Sequence, residues 1–492
     1  MHGVNERFDF RAEVPELTDL GRVHFIAIGG AGMSAVARIM LARGVTVTGS
    51  DAKDSPMLRA LEREGATTWV GHNPSHVDGA DTVVISSAIR ESNVELIRAR
   101  ELGLPVLHRA QALASTMTGA VAAAVAGANG KTTTTSMLTV ALQAAGMDPS
   151  FASGGELADQ GTNARWCAGA PFVVEADESD GSFLVYRPAV AVVTNVQPDH
   201  LDFYGTFEGV QTAYAEFVAS MPRGGLLVAC RDDDGSSVLA QDAAASGVRV
   251  LTYGFAEDAD LRVHSVKSTG LGSTARFVDQ DGVERTLHLA VPGRHNVLNA
   301  MGAYLAAVVG LGAESAAVLK GLAHFGGARR RFEVRGEVGG VTVVDDYAHN
   351  PGKVAAVVAT AAEIAHARGG HLRVIFQPHL YSRTNDFATD FALALAAADD
   401  VVLLEIYGAR EEPVPGVGSH LVADALLIEI GGTGGKLPLG AHGVTSSVPV
   451  LDRGEAVAAL VTAARPGDLL MTIGAGDVTE LADALTEGLR QR

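Results

Sequence analysis

Cysteine is almost missing from this chain: Cys167 and Cys230 are the only two among 492 residues. Two cysteines cannot build a disulfide framework or a four-Cys zinc site, and such sparing use suits a reducing cytoplasm. There is no uncharged apolar run of the roughly 18 residues that a bilayer-crossing helix needs. Met1 to Arg22 holds Glu6, Arg7, Asp9, Glu13 and Glu16 where a signal peptide would have its apolar stretch. The expectation is a soluble, cytoplasmic protein with no membrane partner. Positive charge is also short, with 38 Lys+Arg against 57 Asp+Glu for a net charge of −19. That balance argues against general affinity for nucleic acid or anionic membrane, so an anionic ligand must be held by local cationic pockets. With 47% hydrophobic and 19% charged residues, a disordered scaffold is excluded.

The length is enough for about three domains. Short apolar runs alternate with helix-like stretches throughout, a βαβ rhythm. VHFIAIG, VTVTGS and TVVISS mark a first unit. Val121 to Ala126, FVVEA, AVAVVTNV and LLVAC mark a second, and VTVVDDY, LRVIFQP, DVVLLEI and DLLMTIGAG a third. The expected fold is α/β in three domains: a Rossmann-like N-terminal domain over 1–118, a central P-loop-type ATPase domain over 119–327, and a Rossmann-like C-terminal domain over 328–492. The polar stretch Arg231 to Glu284, with Asp232, Asp233 and Asp234, reads as a solvated loop or edge of the second domain.

The most specific local signal is Gly127-Ala-Asn129-Gly130-Lys131-Thr132-Thr133, between a strand candidate and a helical stretch. It reads as a shortened phosphate loop. Its glycines let backbone N–H groups turn toward phosphate oxygens, Lys131 adds a cation, and Thr132 can ligate magnesium at a helix N-terminus. Two acidic clusters, Glu175-Ala-Asp-Glu-Ser-Asp180 and Asp199-His200-Leu-Asp202, each follow a strand. Ligands of open α/β sheets bind beyond the carboxyl ends of strands, so both clusters can converge with Lys131 on one metal-nucleotide crevice. Magnesium prefers oxygen ligands such as Glu175 and Thr132, while the imidazole of His200 would make the site tolerant of manganese.

Near the N-terminus, Gly29-Gly30-Ala31-Gly32-Met33-Ser34 lies between a strand and a helix, with Asp51 after the next strand. This is close to a dinucleotide fingerprint, but Ala27 replaces its first glycine, so the inference is a diphosphate held by backbone amides. In the third unit, Asp345-Asp-Tyr347-Ala-His349-Asn-Pro351 ends one strand and Gln377-Pro-His379-Leu-Tyr-Ser-Arg383 ends another, while Arg329-Arg330-Arg331 precedes both. A guanidinium there can grip phosphate or carboxylate bidentately.

Taken in order, IGGAGMS, GSD, GxxGKTTTT, EADESD, DHLD, GRHNVLNA, RRRF, DDYAHNP, FQPHLYSRT and GAGD resemble the Mur ligases of peptidoglycan synthesis over nearly the whole chain. The resemblance implies ATP-dependent joining of L-alanine to the carboxylate of UDP-N-acetylmuramate, with ATP and magnesium as cofactors. It places Gly29 to Ser34 and Asp51 at the UDP-sugar, with His72 and Arg109 as further contacts. Gly127, Asn129, Gly130, Lys131, Thr132 and Thr133 would hold phosphates; Thr132, Glu175 and His200 the metal; Asn296 and Asp345 the nucleoside; Arg331 a phosphate. Tyr347, His349, His379 and Arg383 would shape the alanine site, Arg383 holding the carboxylate and His349 accepting a proton. Alanine-adding members usually carry histidine where Asn129 stands, glycine where Ala27 stands and often histidine where Asn350 stands. Against these departures, no lysine occurs between Lys131 and Lys267. Sister ligases use a carbamylated lysine in that interval, so alanine addition is favoured. Other readings are a ligase recycling a murein tripeptide onto the same UDP-sugar, a non-catalytic nucleotide-binding regulator, and an NAD-dependent oxidoreductase. The four-Cys amidotransferase-partner ligase is disfavoured by the cysteine count, and the sequence leaves oligomeric state open.

Overall fold

The computed structural model describes residues 5, 7–158, 160–409, 411–433 and 448–492. Three α/β sheets account for the architecture, distributed over two compact units. The first unit carries two sheets and comprises Met1–Val266, Thr274–Leu289 and Asn296–Gly326; the second comprises Lys267–Ser273, Ala290–His295 and Gly327–Arg492.

The N-terminal sheet runs Thr67–Val70, Val47–Asp51, Val23–Ile26, Thr82–Ile85, Val106–His108 in space, all parallel. Val23–Ile26 and Thr82–Ile85 are buried at every position, as strands covered on both faces must be. The order reverses between these two strands, which opens a crevice at their carboxyl ends. The turn that begins at Ala27 leads there into the helix Ala31–Ala42.

The central sheet has ten strands. Val121–Ala126 lies between Val190–Val193 and Pro171–Glu175 and is parallel to both. Although alanine is a poor strand former, Ala123, Ala124 and Ala126 are completely buried in this central strand. Because these three strands run the same way, the segments after Ala126, Glu175 and Val193 emerge along one edge. Of the two readings of Arg231 to Glu284, a solvated loop or a domain edge, the structure shows the edge. The stretch contains the helix Asp234–Ala245 and the strand Arg249–Gly254, and then the strands Leu261–Ser268 and Ser273–Val278 that extend the sheet at its edge. Its aspartates are structural. Asp233 caps the helix by accepting from Ser236 N at 2.8 Å, and Asp232 accepts from Phe255 N and Ala256 N. One apolar cluster runs from Phe25 and Ile39 through Ala124 and Val174 to Leu227, which is why the first two sheets belong to a single unit.

The second unit has the sheet Glu333–Val338, Val341–Asp346, Leu469–Ile473, Leu372–Phe376, Asp400–Leu403. Its first pair is antiparallel and the rest are parallel. Separate apolar clusters cover its two faces, around Val358, Phe376 and Phe391 on one side and around Ile375, Leu470 and Leu485 on the other. No helix among the described residues is long and apolar enough to cross a membrane.

Candidate active site

The candidate phosphate loop, Gly127 to Thr133, has the backbone its sequence requires. Gly127 and Gly130 have φ of +136° and +86°, conformations that side chains rarely adopt. They turn the chain from the strand into the helix Lys131–Ala144, and a helix start of this kind presents N–H groups suited to an anion. The loop is fastened from the neighbouring strand end. Asn195 Oδ1 accepts from Asn129 N at 2.9 Å, while Asn195 Nδ2 and Thr194 Oγ1 donate to Asn129 O at 3.0 and 2.5 Å. A Cβ on Gly130 would lie 2.5 Å from Asn299 Oδ1, and Asn299 Nδ2 donates to Asn296 Oδ1 at 3.3 Å. Asn296 therefore stands beside the loop.

Lys131 Nζ donates to Gly127 O at 2.7 Å and to both oxygens of Glu178 at 2.8 Å. Burial lowers the lysine's pKa, but the charges of Glu178 and Asp177 overcome it and hold the ammonium above its ordinary value. Burial pushes the Glu178 carboxyl up, only partly offset by Lys131. Glu175, three residues upstream, accepts from Thr132 Oγ1 at 2.9 Å, Ser153 Oγ at 3.2 Å and Gly154 N at 2.6 Å. Thr133 follows Thr132 on the helix and is buried. His200 has φ of +53° at the start of a short helix, and its Nε2 is 3.9 Å from both Glu178 Oε1 and Asp199 Oδ1.

A metal ion was expected on Thr132, Glu175 and His200. The adjoining hydroxyl and carboxylate of Thr132 and Glu175 are the hard oxygen donors that magnesium takes, so this pair fits. His200 stands beside Glu178 and Asp199, and no group of three or more His, Cys, Asp or Glu among the described residues is arranged to hold a metal.

The N-terminal turn reaches the same acidic cluster. Gly29 N donates to Asp51 Oδ2 at 3.0 Å, so Asp51 braces the turn. Gly30 is the N-cap of a helix in which Ala31, Gly32, Met33 and Ser34 form the first turn, and Ser34 N closes it on Gly30 O at 2.8 Å. Arg109 packs against Gly32, where a Cβ would sit 2.8 Å from Nη1, and its Nη2 donates to Asp177 at 3.3 Å. Ser87 Oγ, from the neighbouring strand end, donates to Asp180 Oδ2 at 2.5 Å and lies 3.1 Å from His108 Nε2. Burial pushes His108 down to about 4, with the Arg109 charge acting in the same sense. His72 Nδ1 is 2.9 Å from Ser50 Oγ. The turn and the phosphate loop thus share one acidic motif, Glu175 to Asp180.

In the second unit, the guanidinium carbons of Arg330 and Arg331 lie 4.7 and 4.9 Å from the centroid of Tyr347. Asp345 is enclosed, with one oxygen accepting from Thr472 Oγ1 at 2.6 Å and the other from Thr479 Oγ1 at 2.7 Å. Its two oxygens are thus engaged within the unit. Asp346 accepts from Phe332 N and Ala348 N, and burial pushes it up to about 6. His349 Nδ1 bonds Tyr347 O at 2.9 Å, and its ring faces Tyr347 at 5.1 Å and His379 at 6.0 Å. Since a carbonyl only accepts, Nδ1 carries the proton and Nε2 is an acceptor in the neutral ring. Burial, with the charges of Lys353 and Arg383, holds His349 well below its ordinary pKa. Arg383 sits in the first turn of the helix Tyr381–Leu395, near Glu411, which burial would raise but the hydrogen bonds from Ser382, with the Arg383 charge adding to them, hold low. Tyr347, His349, His379 and Arg383 thus gather at the strand ends of one unit.

Several residues escaped the sequence reading: Glu178 as the partner of Lys131, Asn195 as the clasp of the loop, and Ser87 and His108 at the junction. Glu178 and Asn195 were legible as polar residues just past strands. Nothing local singled them out.

Three family models match the chain in succession: "Mur ligase family, catalytic domain" over residues 22–120, "Mur ligase middle domain" over 125–307, and "Mur ligase, glutamate ligase domain" over 330–476. A UDP-N-acetylmuramate–L-alanine ligase of Kineococcus radiotolerans is 52% identical over 484 residues, 98% of this chain and 99% of that protein. The chain belongs to the Mur ligase family. Another Mur ligase, the UDP-N-acetylmuramate–L-alanine ligase of Renibacterium salmoninarum, is 50% identical over 96% of this chain and 97% of its own length. Among solved structures, the UDP-N-acetylmuramate-alanine ligase of Thermotoga maritima superposes with a TM-score of 0.76 at 27% identity, covering 96% of this chain and 99% of that one. A murein peptide ligase of Psychrobacter arcticus shares the Mur ligase fold, with a TM-score of 0.65 at 24% identity over 95% of this chain and 98% of its own.

Proposed function

We propose that this Mur ligase joins L-alanine to the carboxylate of UDP-N-acetylmuramate at the expense of ATP, as its half-identical relatives are named for doing. The observation that carries the chemistry is the phosphate loop with Lys131 paired to Glu178, inside the unit that also holds the Gly29–Ser34 turn. The domains would be 1–118 for the UDP-sugar, 119–327 for ATP and 328–492 for the amino acid.

A carboxylate is a poor acyl donor, so the acid must first attack the γ-phosphorus of ATP and become an acyl phosphate, releasing ADP. Both reactants are anionic, and their repulsion is the barrier to overcome. Lys131 and the N–H groups from Gly127 to Thr133 would spread and neutralise charge on the transferring phosphoryl group. Thr132 and Glu175 would hold magnesium, which when bound supplies further neutralisation of the phosphate oxygens, with His200 beside Glu178 as the expected third group. Asn296, next to Asn299 and Gly130, would contact the nucleoside and Arg331 a phosphate. Asp345 would be the second contact to the nucleoside. The Gly29–Ser34 helix start, braced by Asp51, would take the diphosphate of the UDP-sugar, with Arg109 and His72 alongside.

Arg383 would hold the alanine carboxylate, in a pocket shaped by Tyr347 and His379. The amine then attacks the acyl carbon, a tetrahedral intermediate collapses and inorganic phosphate leaves. His349, neutral with an acceptor Nε2, would take the amine proton.

Phosphate release from ATP, magnesium and UDP-N-acetylmuramate should be stimulated by L-alanine well above glycine, L-serine or a murein tripeptide. A tripeptide preferred over L-alanine would replace this reading with the recycling ligase. Phosphate release with none of them would replace it with a nucleotide-binding regulator.

A further inference from the structure

Glu95 is fully buried in the N-terminal sheet's flank, at the start of the helix Val94–Glu101, yet five polar groups converge on its carboxylate. Oε2 accepts from Ser50 Oγ at 2.5 Å and lies 3.3 Å from His72 Nδ1 and 3.5 Å from His24 Nε2. Oε1 accepts from Asn73 N at 3.0 Å and lies 2.7 Å from His76 Nδ1. Burial raises the pKa of this acid, but the polar groups around it, the His24 ring and the hydrogen bonds from Ser50, Asn73 and His76, outweigh it and hold it at about 2. The group is an ionised carboxylate, an acceptor at both oxygens. It therefore gathers four separate pieces of chain: the strand Val23–Ile26, the end of the strand Val47–Asp51, the 71–76 loop, and its own helix.

The hydrogen bonds also decide how His72 is protonated. Ser50 gives its only proton to Glu95, so toward His72 it can offer a lone pair alone. Both atoms near His72 Nδ1, Ser50 Oγ at 2.9 Å and Glu95 Oε2 at 3.3 Å, are then acceptors. Nδ1 must carry the hydrogen, and in the neutral ring Nε2 is left with a lone pair. Glu95 is enclosed, whereas His72 is about a quarter exposed, with 24% side-chain accessibility.

We propose that Glu95 is a positioning residue for the UDP-sugar: it fixes the 71–76 loop and sets the His72 tautomer so that Nε2 accepts from a hydroxyl or imide N–H of the uridine. This rests on the UDP-sugar reading above. The sequence hides it, because Glu95 stands 45 positions from Ser50 and 23 from His72 and belongs to no motif.

Long-range ¹H–¹⁵N correlation on the intact wild-type enzyme, with labelled histidine, tests the tautomer without any mutation. The expected result is His72 protonated at Nδ1, and a proton on Nε2 instead would overturn the proposal. In Glu95→Gln the Kd for UDP and the KM for UDP-N-acetylmuramate should rise about tenfold or more, as loss of hydrogen bonds to a charged group implies. In the same variant kcat and the KM values for ATP and L-alanine should stay within about twofold, a split that general loosening of the fold would not produce. An unchanged UDP affinity would overturn the proposal. Ser50→Ala keeps the carboxylate, so it should retain the tautomer and lose less UDP affinity than Glu95→Gln; an equal or greater loss would mean that Glu95 matters only through packing. Wild-type enzyme that binds no UDP would remove the substrate reading itself, a failure visible before any variant is made.

Discussion

Replacing Lys131 by methionine separates what this lysine does for the fold from what it does for the reaction. In the structure its ammonium is bound by both oxygens of Glu178, with side-chain exposures of 13% and 2%. Removing one member of so buried a pair leaves the other charge uncompensated, at a cost of about 3–5 kcal/mol. Glu178 can escape much of that cost by taking up a proton, since burial already raises its carboxyl pKa. A carboxyl whose folded pKa lies above its unfolded value binds more protons folded than unfolded, so stability falls as pH rises above the unfolded value of about 4.3. The deficit of Lys131→Met relative to wild type should therefore be largest at neutral and alkaline pH and shrink as pH falls toward 5, which chemical denaturation across pH can follow. Adding Glu178→Gln removes the stranded charge, and Lys131→Met/Glu178→Gln should recover most of the lost stability. Activity should not recover with it. Loss of a cation from phosphoryl transfer corresponds to about a thousandfold or more in kcat, or roughly 4 kcal/mol of barrier. A stable double variant that turns over within about tenfold of wild type, measured by phosphate release, would refute the role assigned to Lys131.

Two further predictions follow from the backbone and from a buried ring. Ala27 occupies the left-handed region, with φ of +64°, which costs a side-chain-bearing residue roughly 1–2 kcal/mol; Ala27→Gly should therefore raise the thermal midpoint, offset in part by glycine's unfolded-state entropy, and a lower midpoint would show that the methyl group packs usefully. His349 is held well below its ordinary pKa, so the folded chain binds fewer protons there than the unfolded chain and loses stability as pH drops below about 6.5. His349→Gln should lower kcat while making the second unit less acid-sensitive, and acid unfolding identical to wild type by pH-dependent circular dichroism would contradict the buried neutral ring.

Parts of the site were legible because they are local. Gly127, Gly130 and Lys131 are a backbone specification: positive φ at the glycines and a cation at a helix start need only neighbouring residues to be recognised. Glu175 and His200 were recognisable as polar groups after apolar strands. The Arg231–Glu284 stretch left loop and sheet edge undivided for the opposite reason. Strands at the border of a sheet carry many exposed polar residues, so their alternation is weak, and aspartates that cap a helix or close a turn look like solvated charge until their partners are known.

From sequence alone came the α/β class, the order of motifs and the chemistry of phosphate binding, since periodicity, glycine placement and charge act over a few residues. The tertiary fold decided which groups meet. Parallel strands order themselves in space independently of their order in the chain, so Glu178 came to Lys131, Asn195 to Asn129, Asp177 to Arg109 and Glu95 to His72 only when the sheets formed. A carboxylate's partner, and with it the proton it keeps or the tautomer it imposes, is set by that non-local pairing and by burial, neither of which any stretch of a dozen residues encodes.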